Sequence, residues 1–153
     1  RHWVEQALAW WPKGIARFAV TIPPSDGCCG QIGIQIDPAA RRAEAFYWLD
    51  SGARGRGLAT EALNLVTDGV FRDHGIIRVQ LATHPENSAS QRVAERSGFV
   101  REGVLRAWEP VKGAQPDVVM WSRLVTDPPP ATRPSVAGGV DRAADQDQND
   151  QTG

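Results

Sequence analysis

Hydrophobic and polar residues alternate with a period of two in three segments near the start of the chain. The segments are residues 16–22, 31–36 and 43–50, the last of which is rich in aromatic side chains. This period is typical of half-buried β-strands. Because Pro23-Pro24 ends the first segment and only the loop SDGCCG precedes the second, the pattern predicts an antiparallel meander of three strands. Upstream, residues 3–11 have the apolar spacing of an amphipathic helix.

The middle of the chain changes to a helical period. Apolar residues recur every three or four positions over residues 58–70, and Asp73-His74-Gly75 follows, so we predict a helix that ends there. The next alternation, RVQLAT at residues 78–83, predicts a fourth strand.

A second helix and two further strands complete the predicted order. Asn87 and Ser88 can cap the helix, Gln91 completes a Ser-x-x-Gln capping box, and Gly98 is placed to end it. Strand alternation returns in residues 99–108 and 118–124, with a turn at 112–117 between them. The order is therefore helix, three strands, helix, strand, helix and two strands.

The composition fits one globular domain followed by a tail. The chain has 153 residues, of which 41% are hydrophobic and 23% charged, enough for one sizeable core. Residues 126–153 are rich in proline and almost devoid of large apolar side chains, so they cannot bury enough surface to offset the entropy of ordering them. We predict a domain over residues 1–125 and a disordered tail from 126 to 153.

Charge, hydropathy and cysteine content argue against several kinds of partner. No apolar run approaches the roughly 20 residues that span a bilayer, and no signal-peptide pattern precedes the first strand, so we expect a soluble, cytoplasmic protein. The net charge is −1, but the tail holds five aspartates and two arginines, which leaves +2 for the domain, too little to indicate nucleic-acid binding. Cys28 and Cys29 are adjacent and have no nearby histidine, so neither a disulfide nor a metal site is expected.

The stretch LDSGARGRGLATEAL carries the clearest chemical signal. A strand that passes through glycines into a helix leaves free backbone N–H groups at the positive end of the helix dipole, which favours a phosphate or pyrophosphate. The P-loop pattern is missing, and the glycines read G-x-x-G-x-G rather than the dinucleotide pattern G-x-G-x-x-G. A third pattern, [QR]-x-x-G-x-[GA], is satisfied by Arg54, Gly57 and Ala59.

Three segments together resemble the GNAT acyltransferase superfamily, and specifically its RimJ/RimL-like branch. They are YWLDSGARGRGLATEAL, NSASQRVAERSGFVREGVLR and DVVMWSRL, and the similarity spans residues 15–125. The resemblance implies an α/β fold with a mixed, mostly antiparallel sheet that is flanked by helices and splayed at its middle. It places acetyl-CoA in a V-shaped opening between the third strand and RVQLAT. The strand and helices with which the family normally begins are not found upstream, so we expect an N-terminally truncated domain.

The resemblance also implies a set of cofactor-binding residues. The pyrophosphate would be held by backbone N–H groups over residues 54–59, with the Thr60 hydroxyl as a further donor and two arginines beside it. The pantetheine arm would pair with the backbone near Leu49, and Asn87 would contact it or a bound water. The full set is Trp48, Leu49, Arg54, Gly55, Arg56, Gly57, Leu58, Ala59, Thr60, Asn87 and Ser90.

In such enzymes an amine attacks the thioester directly, which requires an oxyanion donor, an acid and a base. The donor implied is a backbone N–H at Trp48 or Leu49. Many members use a tyrosine acid seven residues after the asparagine, but Ala94 stands there, and Tyr47, the only tyrosine, lies on a different strand. RimL-like members have a serine three residues after the asparagine, so Ser90 is the predicted acid.

The predicted base is Glu109, by its match to a glutamate in RimL-like sequences. Glu102 is the alternative, and a regular strand would place the two glutamates on opposite faces. His84, at the end of its strand, is a further candidate.

The leading hypothesis is an acetyl-CoA-dependent N-acetyltransferase without a metal. Its acceptor would be a protein N-terminal amine or a small amine or antibiotic, and we expect a monomer or homodimer that binds neither nucleic acid nor membrane. Because the usual tyrosine acid is missing, a non-catalytic acyl-CoA-binding regulatory module is the alternative.

Overall fold

The alternating and helical periods fold into six strands and two α-helices. The structure is a computed structural model that describes residues 14–22, 24–108 and 110–131, so the helix predicted for residues 3–11 lies outside the described residues. The elements are β1 (Ile15–Ile22), β2 (Ser25–Asp37), β3 (Arg42–Leu49), a 3-10 turn (Ser51–Ala53), α1 (Leu58–Asp73), β4 (Arg78–Thr83), α2 (Ser88–Arg96), β5 (Val100–Leu105) and β6 (Val118–Leu124). None of the helices in these ranges is long and apolar enough to cross a membrane.

The predicted meander forms, but the first hairpin is tighter than expected. β1 pairs antiparallel with β2, and β2 pairs antiparallel with β3. The segment SDGCCG, predicted as a loop, belongs to β2 because register shifts between Val20 and Ile22 accommodate its extra residues. The prediction of a loop there was wrong, since a bulge breaks the alternation by which a strand is detected.

The sheet splays between its two parallel strands, which confirms the predicted fold class. The strand order is β1-β2-β3-β4-β6-β5, and β3 with β4 is the parallel pair. These two strands pair at three positions, from Arg42 opposite Arg78 to Glu44 opposite Gln80, and then diverge. Within the described part of the chain, β3 beyond Glu44 therefore pairs only with β2, and a V-shaped opening separates it from the end of β4.

Both helices contribute to one core on a single face of the sheet. α1 buries Leu63 and Val70, seven residues apart on one helical face, and α2 buries Ala94 in the same cluster. Strand alternation puts Ala45 in this core and leaves Phe46 exposed on the other face. Every second side chain of β3, counted from Ala45, thus points toward the helices.

The start of α2 differs in detail from the predicted capping box. The helix is capped by Asn87, whose Oδ1 accepts the Ser90 N–H at 3.0 Å. A capping box needs the glutamine three residues after the cap residue, whereas Gln91 lies four residues after Asn87. Its Nε2 donates instead to the Pro85 carbonyl at 2.7 Å. The predicted stop is present, because Gly98 follows the helix with φ +75°.

The chain continues along the domain beyond β6. Asp127 Oδ2 accepts the Leu124 N–H at 2.8 Å, and the Asp127 N–H donates to the Leu124 carbonyl at 3.1 Å. Pro130 lies beside Gly98, where an added Cβ would be 3.5 Å from the proline ring. The disordered tail proposed from residue 126 stays a prediction, since residues 132–153 lie outside the described ranges.

Candidate active site

The splay of the sheet creates a cavity of about 390 Å³ between β3, the start of α1 and the start of α2. Its lining residues are Tyr47, Trp48, Leu49, Ala53, Arg54, Gly55, Gly57, Leu58, Ala59, Thr60, Asn87, Ala89, Ser90, Arg92, Val93 and Arg96. Three separate stretches of sequence thus meet here. Of the predicted cofactor residues within the described ranges, all but Arg56 line the cavity.

The glycine turn leaves a row of unused backbone donors at the mouth of α1. Gly55 and Gly57 have φ of +72° and +79°, in the left-handed region that favours glycine. The Arg54 N–H donates to the Ser51 carbonyl at 3.3 Å, and the Glu61 N–H donates to the Gly57 carbonyl at 3.0 Å. Within the described residues, none of the six N–H groups over residues 55–60 donates to a backbone carbonyl. Together with the helix dipole, these donors suit an anion.

The charge around the cavity has one sign. Arg54, Arg92 and Arg96 line it, and none of the lining residues in the described chain is acidic. Arg54 also holds the turn against β3, because its Nε donates to the Leu49 carbonyl at 3.1 Å. Arg56 is exposed and does not line the cavity.

Sequence reasoning missed the two arginines of α2, although a signal for them existed. Ala89, Val93 and Arg96 follow one another by four and three positions, which puts them on one face of a helix, and Arg92 lies beside them. The same periodicity that predicted the helix could have assigned these side chains to the face toward the glycine turn.

Beyond Glu44, the edge of β3 that faces the cavity has no strand partner among the residues that the structure describes. Residues 45–49 pair with β2 on their other edge, and the last pair joins Leu49 to Gly30. Trp48 lines the cavity with 52% of its surface exposed. This open edge can accept an extended chain of amides in the manner of an added strand.

A tyrosine from β3 meets the predicted acid across the cavity. The Tyr47 hydroxyl lies 2.7 Å from Ser90 Oγ and 3.4 Å from the Ser90 carbonyl. Tyr47 lies two residues after Ala45 on the same strand, so its side chain points to the core face, where it packs against the core. Burial raises the pKa of Tyr47, and the hydrogen bond with Ser90 lowers it in part, so the phenol is protonated at neutral pH. Sequence reasoning assigned Tyr47 no role because it lies on a strand, away from the helix position at which many members have their tyrosine acid.

Glu102 is committed to a network on the opposite face of the sheet. Its carboxylate accepts two hydrogen bonds from Arg78, at 2.7 and 2.6 Å, and one from the Ser122 hydroxyl at 2.7 Å. These bonds lower the pKa of Glu102 to about 2. β5 is not regular here, since Arg101 pairs with Trp121 and Gly103 with Met120, which makes Glu102 the extra residue of a bulge. The expectation that Glu102 and Glu109 lie on opposite faces of the sheet assumed a regular strand, so it does not apply here.

Glu109, the predicted base, lies outside the described residues. His84 lines a second cavity of about 330 Å³ together with Pro85, Glu86, Pro116 and Asp117. Residues 84–86 of this lining directly precede Asn87, which lines the first cavity. Its titratable side chains are two carboxylates and one imidazole, in contrast to the three arginines of the first cavity.

No metal or disulfide chemistry is indicated for the described ranges. Cys28 and Cys29 are free thiols. The same residues contain no group of three or more His, Cys, Asp or Glu side chains that could hold a metal ion.

A mixed sheet that opens between two parallel strands, with a turn of unused backbone donors at the mouth of a helix, is the architecture of the GNAT class. Residues 1–100 match the family described as the Acetyltransferase (GNAT) domain. The chain belongs to this family.

Its relatives include ribosomal-protein acetyltransferases. The chain is 34% identical over 109 residues to the uncharacterized N-acetyltransferase p20 of Bacillus licheniformis, covering 71% of this chain and 61% of that protein. It is 31% identical over 91 residues to the ribosomal-protein-serine acetyltransferase of Escherichia coli strain K12, covering 60% and 51%. The structure of Mycobacterium smegmatis RimJ in complex with CoA-disulfide is similar with a TM-score of 0.66 and 29% identity, covering 72% and 53%. The chain thus spans less than two thirds of each of these proteins.

Proposed function

We propose that this chain forms the cofactor-binding and catalytic part of an acetyl-CoA-dependent N-acetyltransferase that acts on a primary amine. The observation that carries the proposal is the row of six unused N–H groups over residues 55–60, which opens onto a cavity lined by three arginines and no carboxylate. A pyrophosphate needs such donors and such a charge. The family to which the chain belongs supplies the class of reaction.

The proposed binding mode follows the shape of the opening. The pyrophosphate lies against the turn from Gly55 to Thr60, where Arg54 adds a guanidinium. The pantetheine arm runs along the open edge of β3 toward Trp48, and its amides pair with the strand. Asn87 uses one lone pair of its Oδ1 as the cap of α2, so its Nδ2 and the second lone pair can contact the pantetheine or a water.

The reaction is direct attack of the neutral amine nitrogen on the thioester carbonyl. The carbonyl oxygen becomes an oxyanion, held by a backbone N–H at Trp48 or Leu49. The tetrahedral intermediate then collapses, the carbon–sulfur bond breaks, and Ser90 gives a proton to the departing thiolate. The amine loses its proton to a base, for which we propose Glu109.

The surroundings of Glu102 support the choice of Glu109 over it. A carboxylate with a pKa of about 2 is a weak base near neutral pH, and its three hydrogen bonds leave little room for a substrate proton. Glu102 is also remote from the lining of the main cavity.

We propose that the acceptor amine enters from the second cavity. Amines are cations at neutral pH, and Glu86 and Asp117 provide the opposite charge there, beside His84 in the same lining. A protein N-terminus and a small polyamine both fit this chemistry. The relatives named as ribosomal-protein acetyltransferases favour testing protein N-termini first.

A thiol-release assay with acetyl-CoA tests the function. The acceptors are peptides with free N-termini, the same peptides N-acetylated as blocked controls, polyamines and aminoglycosides. We expect release with at least one free amine, none with the blocked peptides, and loss of activity in Glu109→Gln but not in Glu102→Gln. Binding of CoA without release for any amine would contradict the proposal and favour a non-catalytic acyl-CoA-binding module.

A further inference from the structure

The contact between Tyr47 and Ser90 joins the two arms of the opening. Tyr47 stands on β3 and Ser90 in the first turn of α2, 43 residues later, with their hydroxyl oxygens 2.7 Å apart. The two side chains are held from opposite sides. The tyrosine ring packs against the core, and the Ser90 N–H is fixed by the Asn87 cap at 3.0 Å. Both residues line the cavity in which the thioester is proposed to react.

We propose that Tyr47 positions the Ser90 hydroxyl and replaces the proton that Ser90 gives to the thiolate, an inference that rests on the proposed transferase function. In this role Tyr47 acts through Ser90 and does not itself touch the sulfur. Each proton moves once: from Ser90 Oγ to the CoA sulfur, and from Tyr47 Oη to Ser90 Oγ. The phenolate that results recovers its proton from water before the next turnover.

This transfer of a proton from Tyr47 through Ser90 to the sulfur, called the relay below, offsets the difference in acidity between a serine hydroxyl and a thiol. An aliphatic hydroxyl is about as weak an acid as water, whereas a thiol is a much stronger acid, with a pKa of about 8.5. Proton transfer from an isolated serine to a thiolate is therefore uphill by several powers of ten. A phenol, with an ordinary pKa of about 10, is much closer to the thiol, so coupling the two transfers makes the net exchange far less unfavourable, even though burial raises the pKa of Tyr47. Because burial keeps Tyr47 protonated at neutral pH, its proton is available for every cycle.

Two substitutions and their combination test the coupling. Tyr47→Phe keeps the ring in the core and removes the hydroxyl, and Ser90→Ala removes the acid. We expect Tyr47→Phe to lower kcat about 10- to 100-fold, which is at or below the low end of the usual effect of general acid catalysis because Ser90 is still present, while KM for acetyl-CoA changes less than about threefold. In the Ser90→Ala background the same change should have almost no further effect, because the relay has already lost its middle member. A tyrosine with a merely structural role would lower kcat equally in both backgrounds.

A matched control removes another buried hydroxyl at a distance from the cavity. Thr67 of α1 is fully buried, and its Oγ1 has no hydrogen-bond partner among the described residues. Thr67→Val should leave kcat unchanged. It separates the loss of the Tyr47 relay from a general effect of altering a buried polar group.

A spectroscopic measurement tests the contact without activity. Tyr47 is the only tyrosine of the chain, so the tyrosinate absorbance near 295 nm reports on it alone. We expect it to titrate above the ordinary value of about 10, and higher still in Ser90→Ala, because the Ser90 hydrogen bond lowers the pKa of Tyr47.

The outcomes distinguish the two proposals. A wild-type chain that acetylates no amine overturns the transferase function and the relay with it. An active wild type with an equally active Tyr47→Phe overturns the relay alone. An unchanged tyrosine titration in Ser90→Ala also overturns it, since the two hydroxyls would then not interact in solution.

Discussion

Replacing Gly57 by alanine should separate the stability of the glycine turn from its function. Gly57 has φ +79° and ψ −4°, and a Cβ added there meets no atom within 4 Å. The substitution therefore causes no clash, and its cost is the backbone strain of an L-residue in the left-handed region, about 1–2 kcal/mol. The smaller entropy of the unfolded chain returns about 0.4–1 kcal/mol. We expect a net loss of about 1 kcal/mol in the free energy of unfolding.

The effect on cofactor binding should be larger than the effect on stability. If the strained residue relaxes toward negative φ, the N–H groups of Gly57 and Leu58 rotate away from the pyrophosphate. A hydrogen bond to a charged group contributes about 1.5–3 kcal/mol, so losing one raises the Kd for CoA roughly 10- to 100-fold. Calorimetric titration with CoA measures the Kd, and chemical denaturation measures the unfolding energy.

Two other glycines provide matched controls. Gly113 has φ +83° and open space for a Cβ, but it lies in the turn before β6, so Gly113→Ala should lose the same stability without changing the Kd. Gly52 has open space and no left-handed φ, so Gly52→Ala should raise the free energy of unfolding by about 0.4–1 kcal/mol and leave the Kd unchanged. If Gly57→Ala binds CoA like the wild type while its stability falls as in Gly113→Ala, the turn does not hold the pyrophosphate.

Three further predictions concern neighbouring features. Because Arg78 holds the pKa of Glu102 near 2, below its usual 4.5, the carboxylate stabilises the fold above pH 4.5 and loses this effect as the pH falls toward 2. Because 39% of the Glu102 side chain is exposed, solvent screening limits this stabilisation to about 1 kcal/mol. Chemical denaturation should therefore find a lower free energy of unfolding for Glu102→Gln than for the wild type at pH 7, and no difference near pH 2. Asn87→Ala should lower the unfolding energy by about 1 kcal/mol through loss of the α2 cap, and Asn87→Asp should not, as thermal melts will show. Arg96→Gln should weaken CoA binding about fivefold and reduce the salt dependence of that binding, because Arg96 lines the cavity. Arg56 does not line it, so Arg56→Gln should change neither property. Equal effects of the two substitutions in calorimetry would contradict the assigned lining.

The sequence predicted most elements because their periods are regular. β4 and β6 have the bounds that alternation indicated, and the splayed mixed sheet agrees with the family resemblance. The misplaced boundaries share one physical cause, which is local irregularity. In β2 the register shifts fall among small residues with low strand propensity, and in β5 the bulge at Glu102 removes the alternation on which the comparison with Glu109 depended.

The parts of the site that the sequence could predict are those built from consecutive residues. The glycine turn and the cap of α2 are local motifs, so spacing alone identifies them. The contact between Tyr47 and Ser90 joins residues 43 positions apart and depends on how far β3 diverges from β4. No short pattern encodes that angle, which results from the packing of the whole sheet against both helices.

The opening in the sheet also explains how so much of the site can be made of backbone. A strand edge without a partner is normally a liability, because its N–H and C=O groups must find other partners or pair with another chain. Residues 45–49 of β3 have such an edge, and it lies inside a cavity rather than on the rim of the sheet. An extended chain of amides, such as the proposed pantetheine arm, satisfies these groups and is selected by them without any particular side chain. In the proposed reaction, side chains are then required only where protons move, at Glu109, Ser90 and Tyr47, and at the arginines that offset the phosphate charge.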